Sequence, residues 1–155
     1  MQATFDRDLM ILLHDVARNL RTRGDRAARA HGMTRAQWII LARLARQPGL
    51  SQNEMTAICE VEPITIGRLV DRLEARGLVE RRSDPGDRRI RRLHLLPAAR
   101  ALVEEITTYR SSLNDEIAEG LDPGQYDALI DTLLRIKNNM AADGTNYPKA
   151  QAAGG

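Results

Sequence analysis

The chemistry in this 155-residue chain is concentrated in one run: Arg81-Arg82-Ser83-Asp84-Pro85-Gly86-Asp87-Arg88-Arg89-Ile90-Arg91-Arg92-Leu93-His94-Leu95. It holds six arginines and two aspartates. A guanidinium is a planar fork of N–H donors that stays charged in proteins, so a cluster of them suits phosphate oxygens and base edges rather than proton transfer. Pro85-Gly86 marks a tight turn. Beyond it, Ile90, the basic residues, Leu93, His94 and Leu95 alternate like a strand. The run therefore reads as a short β-hairpin with a basic tip, a finger that reaches along a nucleic-acid groove. Asp87 stands two residues before Arg89, and such positions share a strand face. Asp87 is expected to hold the Arg89 guanidinium extended for a minor groove. Arg88, pointing the other way, is the alternate candidate.

Other chemistries lack their residues. No nucleophile elbow, P-loop or paired-carboxylate motif is present, so no enzyme is indicated. His14, His31 and His94 are scattered without metal-ligand spacing, and no metal or cofactor is expected. The single cysteine, Cys59, excludes an intrachain disulfide. Its place on a short packed helix reads as an inert thiol rather than a redox sensor. The net charge is only +2, but its distribution is uneven. Residues 76–100 are strongly basic, whereas 101–147 carry many more carboxylates than cations. No apolar run is long enough for a bilayer, and no secretory leader is read at the first residues. A cytoplasmic protein is expected.

The elements that must position the basic finger follow from periodicity. Phe5, Leu9, Leu12, Leu13, Val16 and Leu20 predict a long helix from about Thr4 to His31, stopped at Gly32. Thr34 and Gln37 form a capping-box pattern before a helix over about Arg35 to Arg46, with Trp38, Ile39, Leu41, Ala42 and Leu44 inward. Ser51 and Glu54 repeat the pattern before a short helix to about Cys59. Pro63 sits at a first helical position, opening a helix to Arg76 with Ile66, Leu69, Val70 and Leu73 inward. Leu78, Val79 and Glu80 begin the hairpin. A fifth helix is predicted over Ala98 to Gly120 and a sixth over Gly124 to Ala142, with a disordered tail at 143–155.

The order helix, helix, helix, helix, hairpin, helix, helix gives a mainly α fold with a small β-hairpin wing: a winged helix-turn-helix flanked by terminal helical regions. The terminal stripes exceed what so small a domain can cover, and a second copy of the chain is the simplest partner. The helix from Pro63 would enter the major groove of double-stranded DNA with Pro63, Ile64, Thr65, Gly67 and Arg68 in its leading part. Thr65 can bond a base edge or a phosphate, and Arg68 can fork onto guanine. Gly67 would let the DNA backbone approach. Ser51 and Gln52, at a helix N-terminus, suit phosphate, as do Arg72 and Arg82.

The run Leu69-Val70-Asp71-Arg72-Leu73-Glu74-Ala75-Arg76-Gly77-Leu78-Val79-Glu80-Arg81, followed by Asp84-Pro85-Gly86-Asp87-Arg88-Arg89, resembles the MarR/SlyA family of winged-helix transcription regulators. That family's wing signature is Asp-x-Arg-Asp-x-Arg. Asp84, Asp87 and Arg89 match it, whereas Gly86 replaces the first arginine. Leu95-Leu96 and Ala99 depart from the Leu-Thr and glycine that usually follow the wing. Gln37-Trp38 and Leu50-Ser51-Gln52 look like the SlyA branch.

The resemblance spans about residues 5 to 142. It implies one domain over 1–142, with dimerisation helices at about 4–31 and 98–142 and the winged helix-turn-helix at about 34–96. It also implies a homodimer on a pseudo-palindromic operator. Members mostly repress, and many respond to small aromatic anions. Here such a carboxylate effector would lie between the first two helices and the fifth, with His14, Arg18 and Trp38 as candidate lining. The plainer alternative puts Trp38 in the core and His14 at a helix interface. Peroxide-sensing relatives carry their cysteine in the first helix, which has none here. A different class remains open: a winged-helix module whose basic wing contacts an acidic protein in a larger assembly.

Overall fold

The computed structural model describes residues 5–141. A 3-10 turn at Phe5–Arg7 leads into α1 (Leu9–Ala30), α2 (Arg35–Arg46), α3 (Gln52–Cys59), α4 (Pro63–Ala75), strands β1 (Val79–Ser83) and β2 (Arg91–Leu95), α5 (Arg100–Ile117) and α6 (Pro123–Ala141). This is the helical fold with a two-stranded wing that the sequence predicts. The predicted tail at 143–155, like Thr4, lies outside the described residues.

Helix starts are set by side chains that take up orphan amides. Thr34 and Gln37 form a reciprocal capping box on α2, at 3.2 and 3.0 Å. Ser51 and Glu54 do the same for α3, at 3.1 and 2.7 Å. This explains Gln37, the one buried polar side chain among the described residues. The first helix starts later than its apolar period suggests. Asp8 is extended and its Oδ1 accepts from the amides of Met10 and Ile11, so α1 begins at Leu9. The fifth also starts late: Pro97–Ala99 is a 3-10 turn, and α5 ends at Ile117, ahead of the positive-φ Gly120.

The core is formed by Ile40, Leu41 and Leu44 of α2, Met55 of α3, Ile66, Val70 and Leu73 of α4, Val79 and Leu93 of the wing, and Ile106 of α5. Ile40 thus takes the place predicted for Ile39. Ile39 and Ala42 are only half-buried and line a cleft beside α1 and α5. The α2 helix is consequently covered on two sides, which blurs a single-stripe reading.

The strands pair antiparallel from Val79↔Leu95 to Ser83↔Arg91. Leu50 and Ser51 add a short third edge: the Leu93 amide donates to the Leu50 carbonyl (2.9 Å), the Gly49 amide donates to the Leu93 carbonyl (3.0 Å), and Ser51 bridges Arg92. The wing is therefore anchored to the start of the helix-turn-helix. Its tight turn is not at Pro85-Gly86. The Ile90 amide donates to the Asp87 carbonyl (2.9 Å), placing the turn at 87–90. Pro85-Gly86 forms a bend because the Asp84 carboxylate takes the amides of Gly86 and Asp87, at 2.9 and 3.1 Å.

Candidate nucleic-acid interface

The α4 helix buries Ile66, Leu69, Val70 and Leu73 and turns the other side to solvent. Pro63, Ile64, Thr65, Arg68 and Arg72 are all exposed there. Its start is fixed by Pro63, whose missing N–H falls where no intrahelical partner exists. The preceding turn is set by Glu60, held in the left-handed region at φ 54°. No hydrogen bond or ion pair occupies the side chains of Arg68, Arg72 or Arg88 among the described residues. Gly67 does not belong to this face. A Cβ there would stand 3.6 Å from the Gln52 amide nitrogen, so the residue packs against α3 rather than opening the helix to a DNA backbone.

Arg81, which spacing arguments passed over, joins the helix pair to the wing. On β1 its side chain points opposite to those of Glu80 and Arg82, back toward the helices. Its Nη1 pairs with Asp71 (2.8 Å) and Glu74, its Nη2 donates to the Gly67 carbonyl (3.1 Å), and its Nε donates to the Gln52 amide oxygen (3.1 Å). Its own backbone amide donates to Glu74 at 2.9 Å. One guanidinium thus links α3, α4 and β1. Gln52, proposed for phosphate, is half-buried with its oxygen committed to Arg81, which leaves the amide nitrogen as its donor. Ser51 keeps a hydroxyl proton to donate while its oxygen caps α3.

A second brace holds the wing base. Arg92 pairs with Asp84 and donates from Nη1 to the Gly49 carbonyl at 2.9 Å. The Arg92 guanidinium, with the Gly86 amide next in strength, holds the Asp84 carboxyl below the usual carboxylate range. At the tip, Asp87 Oδ1 accepts from both the Arg89 amide (3.0 Å) and the Arg89 Nε (3.2 Å). The pairing is the one expected, but its cause differs. These residues lie in the turn, and an Asx-type contact joins them instead of strand alternation. The Arg89 side chain is 92 % exposed. Arg82 is exposed and paired with Glu80 on its own strand face (Nε to Oε1, 2.6 Å).

A cleft of about 650 Å³ lies among α1, α2 and α5, the place expected for an effector. Trp38 lines it; His14 and Arg18 do not. Both are exposed on the earlier part of α1, with Arg18 paired to Asp15 at 2.7 Å. The cationic lining is Arg21, Arg35, Arg46 and Arg110 instead. Trp38 is almost fully buried, stacked at 5.1 Å on His31 and edge-to-face at 6.1 Å with Tyr109. The buried Tyr109 hydroxyl has no hydrogen-bond partner among the described residues. Desolvation, then Arg46 and Arg43, lower the Arg110 pKa. Cys59 is buried and its thiol is pushed up to about 11 by that burial.

A helix pair with an exposed arginine face, fastened to an arginine-tipped hairpin, defines a winged helix-turn-helix protein. The MarR family model matches residues 31–90. The transcriptional regulator PA3341 is 32% identical with a TM-score of 0.79, over 87% of this chain and 99% of that one. BpsR of Bordetella bronchiseptica, whose DNA binding is regulated by 6-hydroxynicotinic acid, is 25% identical with a TM-score of 0.72, over 89% and 99%. A Listeria monocytogenes protein complexed with 26mer DNA shares the fold at a TM-score of 0.79 and 21% identity, over 88% and 91%. The chain belongs to the MarR family of winged-helix transcription regulators.

Proposed function

We propose that the chain is a homodimeric repressor that binds a pseudo-palindromic operator and is released by a small aromatic carboxylate. In this reading Pro63, Ile64, Thr65 and Arg68 meet the major groove. Arg88 and Arg89, the latter held by Asp87, enter the flanking minor grooves. Ser51, Gln52, Arg72 and Arg82 take phosphates and supply most of the affinity. The observation that carries it is the Arg81 junction, which makes the exposed face of α4 and the basic wing one unit.

Dimerisation is supported by apolar surface that one chain leaves open. Leu9, Met10, Leu12, Val16 and Leu20 of α1 are exposed, as are Leu129, Ile130, Leu133, Leu134 and Met140 of α6, a helix with no buried residue. A patch of this extent is uncommon on a monomer. The effector reading rests on the cleft: aromatic faces at Trp38 and Tyr109, a Tyr109 hydroxyl without a hydrogen-bond partner among the described residues, and Arg46 and Arg110 for a carboxylate. A ligand acts only by binding the DNA-competent and DNA-incompetent states unequally.

A mobility-shift titration on promoter fragments at two salt concentrations tests the core of the proposal. With several phosphate contacts per dimer, affinity is expected to fall by about a thousandfold or more between roughly 50 and 200 mM salt. Absent or salt-independent binding would overturn it. Light scattering is expected to give twice the 17.3 kDa subunit mass.

A further inference from the structure

Ile64 is the sole exposed large hydrophobic side chain between Leu20 and Ile117 among the described residues, at 67%. The other exposed ones lie on α1, α5, α6 or the turn before α6, where a second subunit would cover them. Ile64 has no such explanation. Nor is it a core residue left partly uncovered. The buried side chains of α4 are Ile66, Leu69, Val70 and Leu73. At about 100° per residue, Ile64 stands roughly 180° from the middle of that stripe, in line with Arg68 and Arg72 at successive steps of four. Local preference does not call for it, because a β-branched residue is a modest helix former. A single apolar side chain one turn ahead of an exposed arginine is also too small to dock a protein.

We infer that Ile64 is a specificity-determining residue that reads the C5-methyl group of a pyrimidine in the major groove. The inference rests on the DNA-binding reading above. The groove edge of a base pair offers one apolar group, the thymine methyl, and an exposed aliphatic side chain at the start of α4, in line with Arg68 and Arg72, is matched to it. Arg68 lies one turn further along, so the operator would carry a methylated pyrimidine close to a guanine in each half-site. A 5-methylcytosine presents the same group and would satisfy Ile64 equally.

The experiment uses the full chain and the preferred site obtained by selecting bound genomic fragments. Each thymine of the site is replaced in turn by deoxyuridine, which removes the methyl and keeps the pairing. Binding is measured for the native protein and for Ile64→Ala. The expected result is one thymine per half-site at which deoxyuridine weakens native binding roughly fourfold, the worth of one buried methyl group. Ile64→Ala binds thymine and deoxyuridine versions equally at that position and keeps the salt dependence of the native protein. Because the base change leaves the protein untouched, folding cannot imitate the effect. Tight, salt-dependent binding with no methyl-sensitive thymine, or a sensitivity that persists in Ile64→Ala, overturns this inference and leaves DNA binding standing. Failure to select any site removes both.

Discussion

The Arg81 Nε on β1 donates to the Gln52 amide oxygen on α3 at 3.1 Å, while the rest of the same guanidinium holds Asp71, Glu74 and the Gly67 carbonyl of α4. The arrangement uses the forked geometry that distinguishes arginine from lysine. Its side chain is 20 % exposed, so the contacts are shielded more than those of a surface pair. Arg81→Ala leaves Glu74 facing a partly buried site without its cation. We expect a loss of about 2–3 kcal/mol in urea unfolding. Arg81→Lys keeps the charge but not the fork, and is expected to recover less than half. Full stability of Arg81→Ala would show that the junction is ornamental.

Gly67 offers a second test of the same junction. It sits inside a helix, where glycine costs roughly 0.5–1 kcal/mol relative to alanine. The added Cβ would meet the Gln52 amide nitrogen at an ordinary 3.6 Å. Gly67→Ala is therefore expected to raise the unfolding midpoint and leave DNA affinity unchanged. A loss of DNA affinity in a stable variant would mean that the backbone here approaches DNA after all.

The wing tip separates binding from stability. Arg89 is almost wholly exposed and its pair with Asp87 is solvent-screened, so the pair adds little to folding. Arg89→Ala is expected to keep the thermal midpoint while weakening operator binding and lowering the salt slope by about one. Asp87→Asn retains an oxygen for the Arg89 amide but loses the ion pair, and should fall between the two. Equal operator affinity for Arg89→Ala would remove the wing from recognition.

These cases mark where the sequence could be read and where it could not. The inward stripe of α4 and both capping boxes were legible, because each depends on residues three or four apart. The Asp87–Arg89 pair is legible as a pair but not as a turn contact, since a spacing of two fits a strand face and a turn equally. Arg81 was not legible as a hub. Its partners lie at positions 52, 67, 71 and 74, and only packing brings them to one guanidinium. The cleft lies among α1, α2 and α5, but which side chains line it depends on the register of α1 against α5, and that register leaves His14 and Arg18 outside. Tyr109 and Arg110 enter through that register.

The cleft makes its own prediction. A buried hydroxyl without a partner costs free energy, and among the described residues Tyr109 carries one. Tyr109→Phe is expected to stabilise the unliganded protein by about 1 kcal/mol and to weaken binding of a salicylate-type anion, read through the fluorescence of Trp38, the only tryptophan. Calorimetry that gives no heat with such anions, together with unchanged DNA affinity in their presence, would exclude the cleft as an effector site.

Cys59 supplies a pH signature. Burial raises its thiol from 9.0 to about 11, so the folded state holds its proton where the unfolded chain has released it. Stability from this group is complete below pH 9, falls as pH rises toward 11, and falls no further beyond. In that window the slope approaches about −1.4 kcal/mol per pH unit for one proton. Other groups titrate there too, so the comparison is with Cys59→Ala, whose stability is expected to decline less steeply over the same range. The same burial predicts that iodoacetamide labels the native thiol far more slowly than the unfolded one. Parallel pH profiles for the two proteins, or rapid native labelling, would place the thiol in solvent and reopen a redox role.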